Sequence, residues 1–317
     1  MRCWKTKCTS WDFDVPKICY IPKTFNPAKV RMIEQANSIM VEYAAQGFDI
    51  TLRQLYYQFV SRDIIPNKQE EYSKLGDLIS DARLAGLIDW HHIVDRTRNL
   101  RGNTHWEKPS DILQSCAYQF CLDKWKDQPH YVEVWVEKDA LVGIVGQAAS
   151  ALDVPYFSCR GYTSQSEMWS ASQRILAQHK LGKKCVIIHL GDHDPSGIDM
   201  SRDILGRLKL FTEDKISVLR VALNMMQVQK YNPPPNPAKV TDSRYEAYRK
   251  LYGEFSWELD ALDPRVLTDI IRRAVARYCD QTLFDARKAK EARARTLLTT
   301  MYKRWNDIVR FLQETPK

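Results

Sequence analysis

K-C-V-I-I-H-L at 184 to 190, running on into G-D-H-D-P-S-G at 191 to 197, is the stretch on which the fold turns. Its apolar run has no polar alternation, so it reads as a strand buried on both faces, the kind found inside parallel sheets. The glycine, aspartates and proline that follow end the strand in a turn. Upstream, Y-V-E-V-W-V-E at 131 to 137 reads as a strand and Asp139 to Leu152 as an apolar helix. V-P-Y-F-S-C-R-G at 154 to 161 and a helix from Ser164 to His179 repeat the pattern. Downstream come a helix from about Ile198 to Leu210 and a fourth strand, I-S-V-L-R-V-A-L, at 216 to 223. Strands alternating with helices predict crossover connections, a parallel α/β sheet and a ligand site at the carboxyl ends of the strands.

The flanks are of another kind. Residues 1 to 28, with Pro16, Pro22 and Pro27, read as an extended arm. Val30, Ile33, Ala36, Met40, Tyr43 and Ala44 trace one face of a helix over Ala28 to Gln46. Thr51 is a candidate N-cap for a second helix, whose stripe is Leu52, Leu55, Tyr56, Phe59 and Val60. After the break at Pro66 and Asn67, a third helix is expected over Glu70 to Ala85, ending near Gly86, and Leu87 to Val94 has the composition of a β-wing. This order predicts a winged helix-turn-helix domain over 29 to 110, with Arg83, Arg96, Arg98 and Arg101 as the phosphate-contacting side chains. Three packed helices also serve many proteins that touch no DNA. A basic loop from Asp95 to Ser110 and a helix from Asp111 to Trp125 lead into the sheet domain, 111 to 230. N-P-P-P-N-P at 232 to 237 is a stiff connector to C-terminal helices packing on that domain over 231 to 317. Their run of Arg287, Lys288, Lys290, Arg293, Arg295, Lys303 and Arg304 reads as a solvated face, with phosphate contact the minority alternative.

With 317 residues the chain is long enough for two domains, and 44% hydrophobic with 27% charged residues is a folded composition, neither disordered nor membrane-embedded. A net charge of +8 suits a polyanionic partner such as double-stranded DNA, although many basic proteins bind none. No apolar run is long enough to span a bilayer and the first residues lack a secretory pattern, so no membrane is expected and the cytoplasm is the expected compartment. The eight cysteines lack C-x-x-C spacing and read as reduced thiols; Cys3, Cys8 and Cys19 as metal ligands on the arm is the lesser alternative.

Glu137 closes one strand and the Asp192-x-Asp194 pair closes another, which brings three oxygen donors to one rim of the sheet. That set suits a hard cation, Mg²⁺ or Mn²⁺, which neutralises a phosphodiester and stabilises its leaving or attacking oxygen. The two aspartates point the same way only if the strand continues through them. Taken singly, each acid has a plainer reading as a turn residue or helix cap.

V-E-K at 136 to 138, R-G-Y-T-S at 160 to 164 and G-D-H-D-P-S-G at 191 to 197 resemble the Toprim domain of the topoisomerase VI A subunit and its relative, the meiotic double-strand-break protein. The resemblance spans about residues 50 to 265 and is strongest at the Toprim motifs, and the chain looks like one of the short stand-alone relatives found on phages and plasmids. It implies a winged-helix domain followed by a doubly wound, Rossmann-like Toprim domain, with Glu137, Asp192 and Asp194 binding Mg²⁺ during DNA cleavage. W-E-L-D-A-L at 257 to 262 resembles the family's late acidic segment, which implies that Glu258 or Asp260 lies near the site, as Lys138 would. L-R-Q-L-Y-Y at 52 to 57 is similar to the family's nucleophile motif and makes Tyr57 the residue that attacks DNA, giving a 5′-phosphotyrosyl bond. Helical geometry agrees independently: Tyr56 lies on the apolar stripe, whereas Tyr57 lies off it, one turn after Arg53. The alternative is a partly exposed tyrosine with a satisfied hydroxyl. The resemblance also implies a homodimer in which Tyr57 and the acids come from different protomers. Gln54 stands where the family has an acid, and no ATPase module is present, so strand passage would need a partner ATPase subunit. Two other functions remain open, a hydrolytic Toprim nuclease without a covalent intermediate and a DNA-binding protein that cuts nothing.

Overall fold

The computed structural model describes residues 17–48, 50–93, 105–213 and 215–314. Three helices come first, α1 (Pro27–Ala44), α2 (Leu52–Ser61) and α3 (Gln69–Leu84), followed by α4 (Pro109–Gln119). Strands and helices then alternate: β1 (His130–Val136), α5 (Val142–Ala151), β2 (Tyr156–Ser158), α6 (Gln165–Lys180), β3 (Lys184–Leu190), α7 (Pro195–Thr212) and β4 (Ile216–Ala222). Next are α8 (Met225–Tyr231), β5 (Asn236–Pro237), α9 (Tyr245–Tyr252) and β6 (Phe255–Ser256). Last come α10 (Pro264–Ala276), α11 (Gln281–Lys303) and α12 (Trp305–Glu314). The chain is thus mixed α/β. It divides into two compact units, one of Met1–Thr97, Asp192–Pro195 and Leu223–Val266, the other of Arg98–Gly191, Ser196–Ala222 and Leu267–Lys317.

The second unit carries a four-stranded sheet in the order β2-β1-β3-β4, with every pairing parallel. With β1 on one side and β4 on the other, β3 is internal, and Cys185 to Leu190 are all buried. Trp135, Met168, Ile175, Ile187, Ile204 and Leu208 pack against it. Glu133, 2% exposed, is a carboxylate inside this unit; it accepts from Tyr131 Oη at 2.7 Å and Trp135 Nε1 at 2.8 Å and pairs with Arg174. Strand order reverses between β1 and β3, which makes their carboxyl ends the crevice where ligands bind in such sheets. The helix expected to reach Trp125 stops at Gln119. Beyond it the Leu122 amide donates to Glu291 at 2.7 Å and the Lys124 amide to Asp153 at 2.8 Å, bonds that replace helical ones. Part of the C-terminal charge run is used in the same way. Arg287 pairs with Asp127, and Arg295 donates to the Phe120 carbonyl; Lys288, Lys290, Arg293, Lys303 and Arg304 are exposed, as expected of a solvated face.

In the first unit α1 begins at Asn26, whose side chain accepts from the Lys29 amide, and buries Ile33, Ala36, Ile39, Met40 and Tyr43. Thr51 caps α2 as expected and forms a full capping box with Gln54. The Gln54 side chain in turn accepts from the Thr51 amide, at 2.8 Å. Leu55, Phe59, Leu75, Leu78 and Ile79 complete one core with the α1 face. Two expectations fail here. The first is the wing: residues 87–93 form no strand, only a single bridge between Ile50 and Ile93. Arg83 takes the carbonyls of Trp90 and Ile93, at 2.7 and 3.2 Å, and Asp89 takes the His91 amide, so the groups a hairpin would pair are already bonded. The second is the division at 110 and 230, because Leu223–Val266 belongs with the first three helices. Tyr43 donates to Asp263 at 3.1 Å, and Asn67 donates to Asn236 at 2.6 Å, where the Pro-rich connector ends in a strand pair. Arg96, Arg98, Arg101 and the first 16 residues of the expected arm lie outside the described residues.

Replacing Thr51 with Ala removes the oxygen that satisfies the Gln54 amide. Urea unfolding is expected to show a loss of about 0.5–2 kcal/mol, with an unchanged slope against denaturant.

Candidate functional site

Two clusters carry the residues singled out from the sequence, one in each unit. In the first unit, Arg53 on α2 holds two carboxylates of the 257–262 segment. Its guanidinium bonds to Glu258 and its Nε lies 2.9 Å from Asp260, whose side chain is wholly buried. Tyr57, one turn further on, hydrogen-bonds to Glu258, and Arg53 lies 5.8 Å from its ring centroid. The Leu259 amide, between those two acids, donates to Asp192 Oδ1 at 2.7 Å. Thus Arg53, Tyr57, Glu258, Asp260 and Asp192 come together within one unit, although 205 residues separate Arg53 from Glu258.

Tyr57 is only 4% exposed. The apolar stripe predicts a tyrosine turned away from the core, but Tyr57 is part of it: every residue from Gln54 to Val60 is buried, and Ala261, from the segment that returns over α2, joins the same cluster, which periodicity does not report. Burial raises the Tyr57 phenol pKa well above its ordinary value; the charges of Asp260 and Glu258 raise it further, and Arg53 opposes them. Tyr56 is also buried, its hydroxyl donating to Asn67 or to the Lys68 carbonyl.

β3 does not continue through the D-H-D segment, in which His193 forms a single bridge and Asp194 lies in a bend. That strand ends at Leu190, and His193 instead exchanges two backbone bonds with Trp257, at 2.8 and 3.0 Å. Tyr248, which no sequence motif marks, fixes the same residue. Its hydroxyl lies 2.9 Å from His193 Nδ1, 3.0 Å from the His193 carbonyl and 2.9 Å from the Phe255 carbonyl. A phenol has one proton to donate, so with that proton on a carbonyl the hydroxyl accepts from His193 Nδ1–H. Asp192 is buried and Asp194 half-buried on either side of this fixed point.

In the second unit, the ladder between β1 and β3 extends one residue, with the Glu137 amide donating to the Leu190 carbonyl at 2.9 Å. The Glu137 carboxylate lies against Gly191: a Cβ added there would sit 2.8 Å from Glu137 Oε2. Any larger residue at 191 would require this carboxylate to move. Lys138 precedes a 3-10 turn, Asp139–Leu141, without capping it. The R-G-Y-T-S stretch makes the turn after β2, with Arg160 paired to Asp139 and Ser164 capping α6.

Beneath Gly191 lies His189, fully buried, its Nδ1 2.8 Å from Ser201 Oγ. Arg220 on β4 also touches Ser201, at 3.2 Å. Neither was singled out, although a lone Arg in the apolar run I-S-V-L-R-V-A-L was a visible signal. Among the described residues no group of three or more His, Cys, Asp or Glu side chains stands ready-made for a metal. Mg²⁺ asks for less, commonly one or two carboxylates with water and substrate phosphate completing the shell. The expected donors are all oxygen, the kind such a cation takes, and the place beside Gly191 is filled by the Glu137 carboxylate.

No protein-family model matches the chain, and the search of curated proteins finds none significantly similar to it.

Burial, then the charge of Arg220, pushes the His189 pKa down from 6.5 to about 3. The unfolded chain takes up a proton below 6.5 that the folded one refuses until about 3, so stability falls as pH drops through that window and is unaffected above it. His189→Gln is expected to remove up to about 1.4 kcal/mol per pH unit from the slope of unfolding free energy against pH in that window. Equal slopes for the two proteins in urea titrations between pH 6 and 4 would contradict a neutral buried His189.

Proposed function

We propose that this protein cleaves double-stranded DNA in a reaction dependent on Mg²⁺, with Tyr57 as nucleophile, in the manner of the topoisomerase VI A subunit it resembles. The observation that carries the reading is the contact of Tyr57 and Arg53 with Glu258 and Asp260, the segment whose Leu259 amide holds Asp192. A phenol, a guanidinium and several carboxylates in one place are the components of phosphodiester transesterification. The resemblance assigns the cation to Glu137, Asp192 and Asp194; when bound, it would neutralise the phosphodiester and stabilise the departing 3′ oxygen.

In this reading the protein's own groups divide the work. Arg53, with donors in a planar fork, exchanges a carboxylate for the scissile phosphate. Glu258, bonded to the Tyr57 hydroxyl, accepts the phenolic proton as the oxygen attacks phosphorus. The phosphorus–oxygen bond to the 3′ side breaks, leaving the 5′ phosphate on Tyr57. The resemblance implies that Tyr57 and the acids come from different protomers, whereas Tyr57 meets Glu258 within its own chain; with a site in each chain, a homodimer would cut both strands. A partner ATPase would be needed only for strand passage.

One observation favours a second reading. A buried phenol whose pKa is raised by two neighbouring carboxylates is a poor nucleophile, which suits a Toprim nuclease in which water attacks and Tyr57 only shapes the site.

The two part at one substitution. Incubated with supercoiled plasmid and Mg²⁺ and then denatured, wild-type protein is expected to remain attached to 5′ ends. Tyr57→Phe is expected to lose both attachment and cleavage by at least about 10³-fold, the order seen when a covalent nucleophile is deleted. Cleavage that persists in Tyr57→Phe selects the hydrolytic reading, and intact DNA with every divalent metal rejects both.

A further inference from the structure

The geometry points to Arg220 as a positioning residue that clasps the two ends of the G-D-H-D-P-S-G segment and so sets the aspartates between them. This rests on the metal-site reading above, and neither the resemblance nor the sequence motifs assign Arg220 any role. Arg220 Nη2 donates to the carbonyl of Gly191 at 3.0 Å, and Nη1 donates to the carbonyl of Gly197 at 2.8 Å. These are the first and last residues of the segment. A single planar group therefore fixes the distance between the point where the chain leaves β3 and the point where it has entered α7.

Three features make the clasp specific to arginine. Its two outer nitrogens reach two carbonyls at once, which the single ammonium of Lys cannot do in the same planar geometry. It is held from below, because Nη1 also reaches Ser201 Oγ, which in turn lies 2.8 Å from His189 Nδ1. It is also held close: a Cβ at Gly191 would meet Arg220 Nη1 at 3.1 Å as well as Glu137 Oε2 at 2.8 Å. The guanidinium and the Glu137 carboxylate thus converge on one glycine. Groups that orient ligands from behind commonly change metal affinity by about 10–100-fold when altered.

Arg220→Lys keeps the charge and gives up the two-pronged clasp. With Mn²⁺ titrated calorimetrically into the full chain, the variant is expected to bind about 10-fold or more weaker than wild type. Native-state hydrogen exchange of the amides of residues 191–197 is expected to speed up in the same variant, without metal and with the sheet amides unchanged. Ser201→Ala, a milder cut to the support, is expected to move both readouts in the same direction by less, and it stands in if Arg220→Lys does not fold. If the variant that folds matches wild type in affinity and in exchange, the clasp is overturned. Wild type that takes up no Mn²⁺ overturns the metal-site reading instead, and exchange alone then decides whether Arg220 holds the segment.

Discussion

Carboxylates gathered at one place repel one another, and burying them costs more still; the arrangement of the first unit depends on how Arg53 offsets both. Asp260 has no exposed side-chain surface, and a buried charge without a partner is among the most destabilising features a fold can contain. Arg53 meets it and Glu258 together, a task suited to a guanidinium with several donors in one plane. Asp192 is handled by a backbone amide, that of Leu259. The orientation of α2 is consequently fixed twice, by the apolar stripe packed on α1 and α3 and by the ion pairs on its other side. Tyr57 stands where these two constraints meet, which is why a residue off the stripe is nevertheless buried.

The parallel sheet answers a different need. Its two glutamates, both on or just after β1, have opposite fates. Glu133 lies within the strand and has its oxygens taken by Tyr131, Trp135 and Arg174, so it is a structural anion. Glu137 lies one residue past the strand, where the order β2-β1-β3-β4 reverses, and its carboxylate occupies the space that a side chain at Gly191 would fill. Position relative to the strand end separates an acid within the strand from one at its carboxyl end, where ligands collect in parallel sheets.

These contrasts explain what was legible in the amino-acid sequence. K-C-V-I-I-H-L matched its strand residue for residue, because an internal strand needs an unbroken apolar run, and Thr51 announced its helix because few residues can cap one. The burial of Tyr57 was not legible, since helical periodicity reports one face and the cover comes from about 200 residues away. The wing failed for a related reason: strand-forming composition at 87–93 says nothing about Arg83 reaching over to take the carbonyls. The condition that the strand continue through Asp192 and Asp194 is not met: β3 ends at Leu190, and the distant Trp257 pairs with His193 instead. Local rules succeed where the deciding partner is near in sequence and fail where it is distant. Arg220 lies between these cases: one Arg in an apolar strand signals a polar duty without naming the carbonyls it serves.

The proposed chemistry carries an internal tension that bears on how such a site would be controlled. Glu258 and Asp260 surround Tyr57 with negative charge and, with burial, keep its proton on. The same two acids occupy Arg53, the group best able to favour a phenolate or grip a phosphate. Taken alone, this arrangement suppresses nucleophilic attack. A divalent cation reverses the sign of the local field, as bound metals do for the groups around them. A phosphodiester arriving with it would compete for Arg53 and free Glu258 to act on the tyrosine proton. The carboxylates that hold the phenol inert are then the groups through which cation and DNA together would release it, so a nucleophile of this kind would stay quiet until both are present.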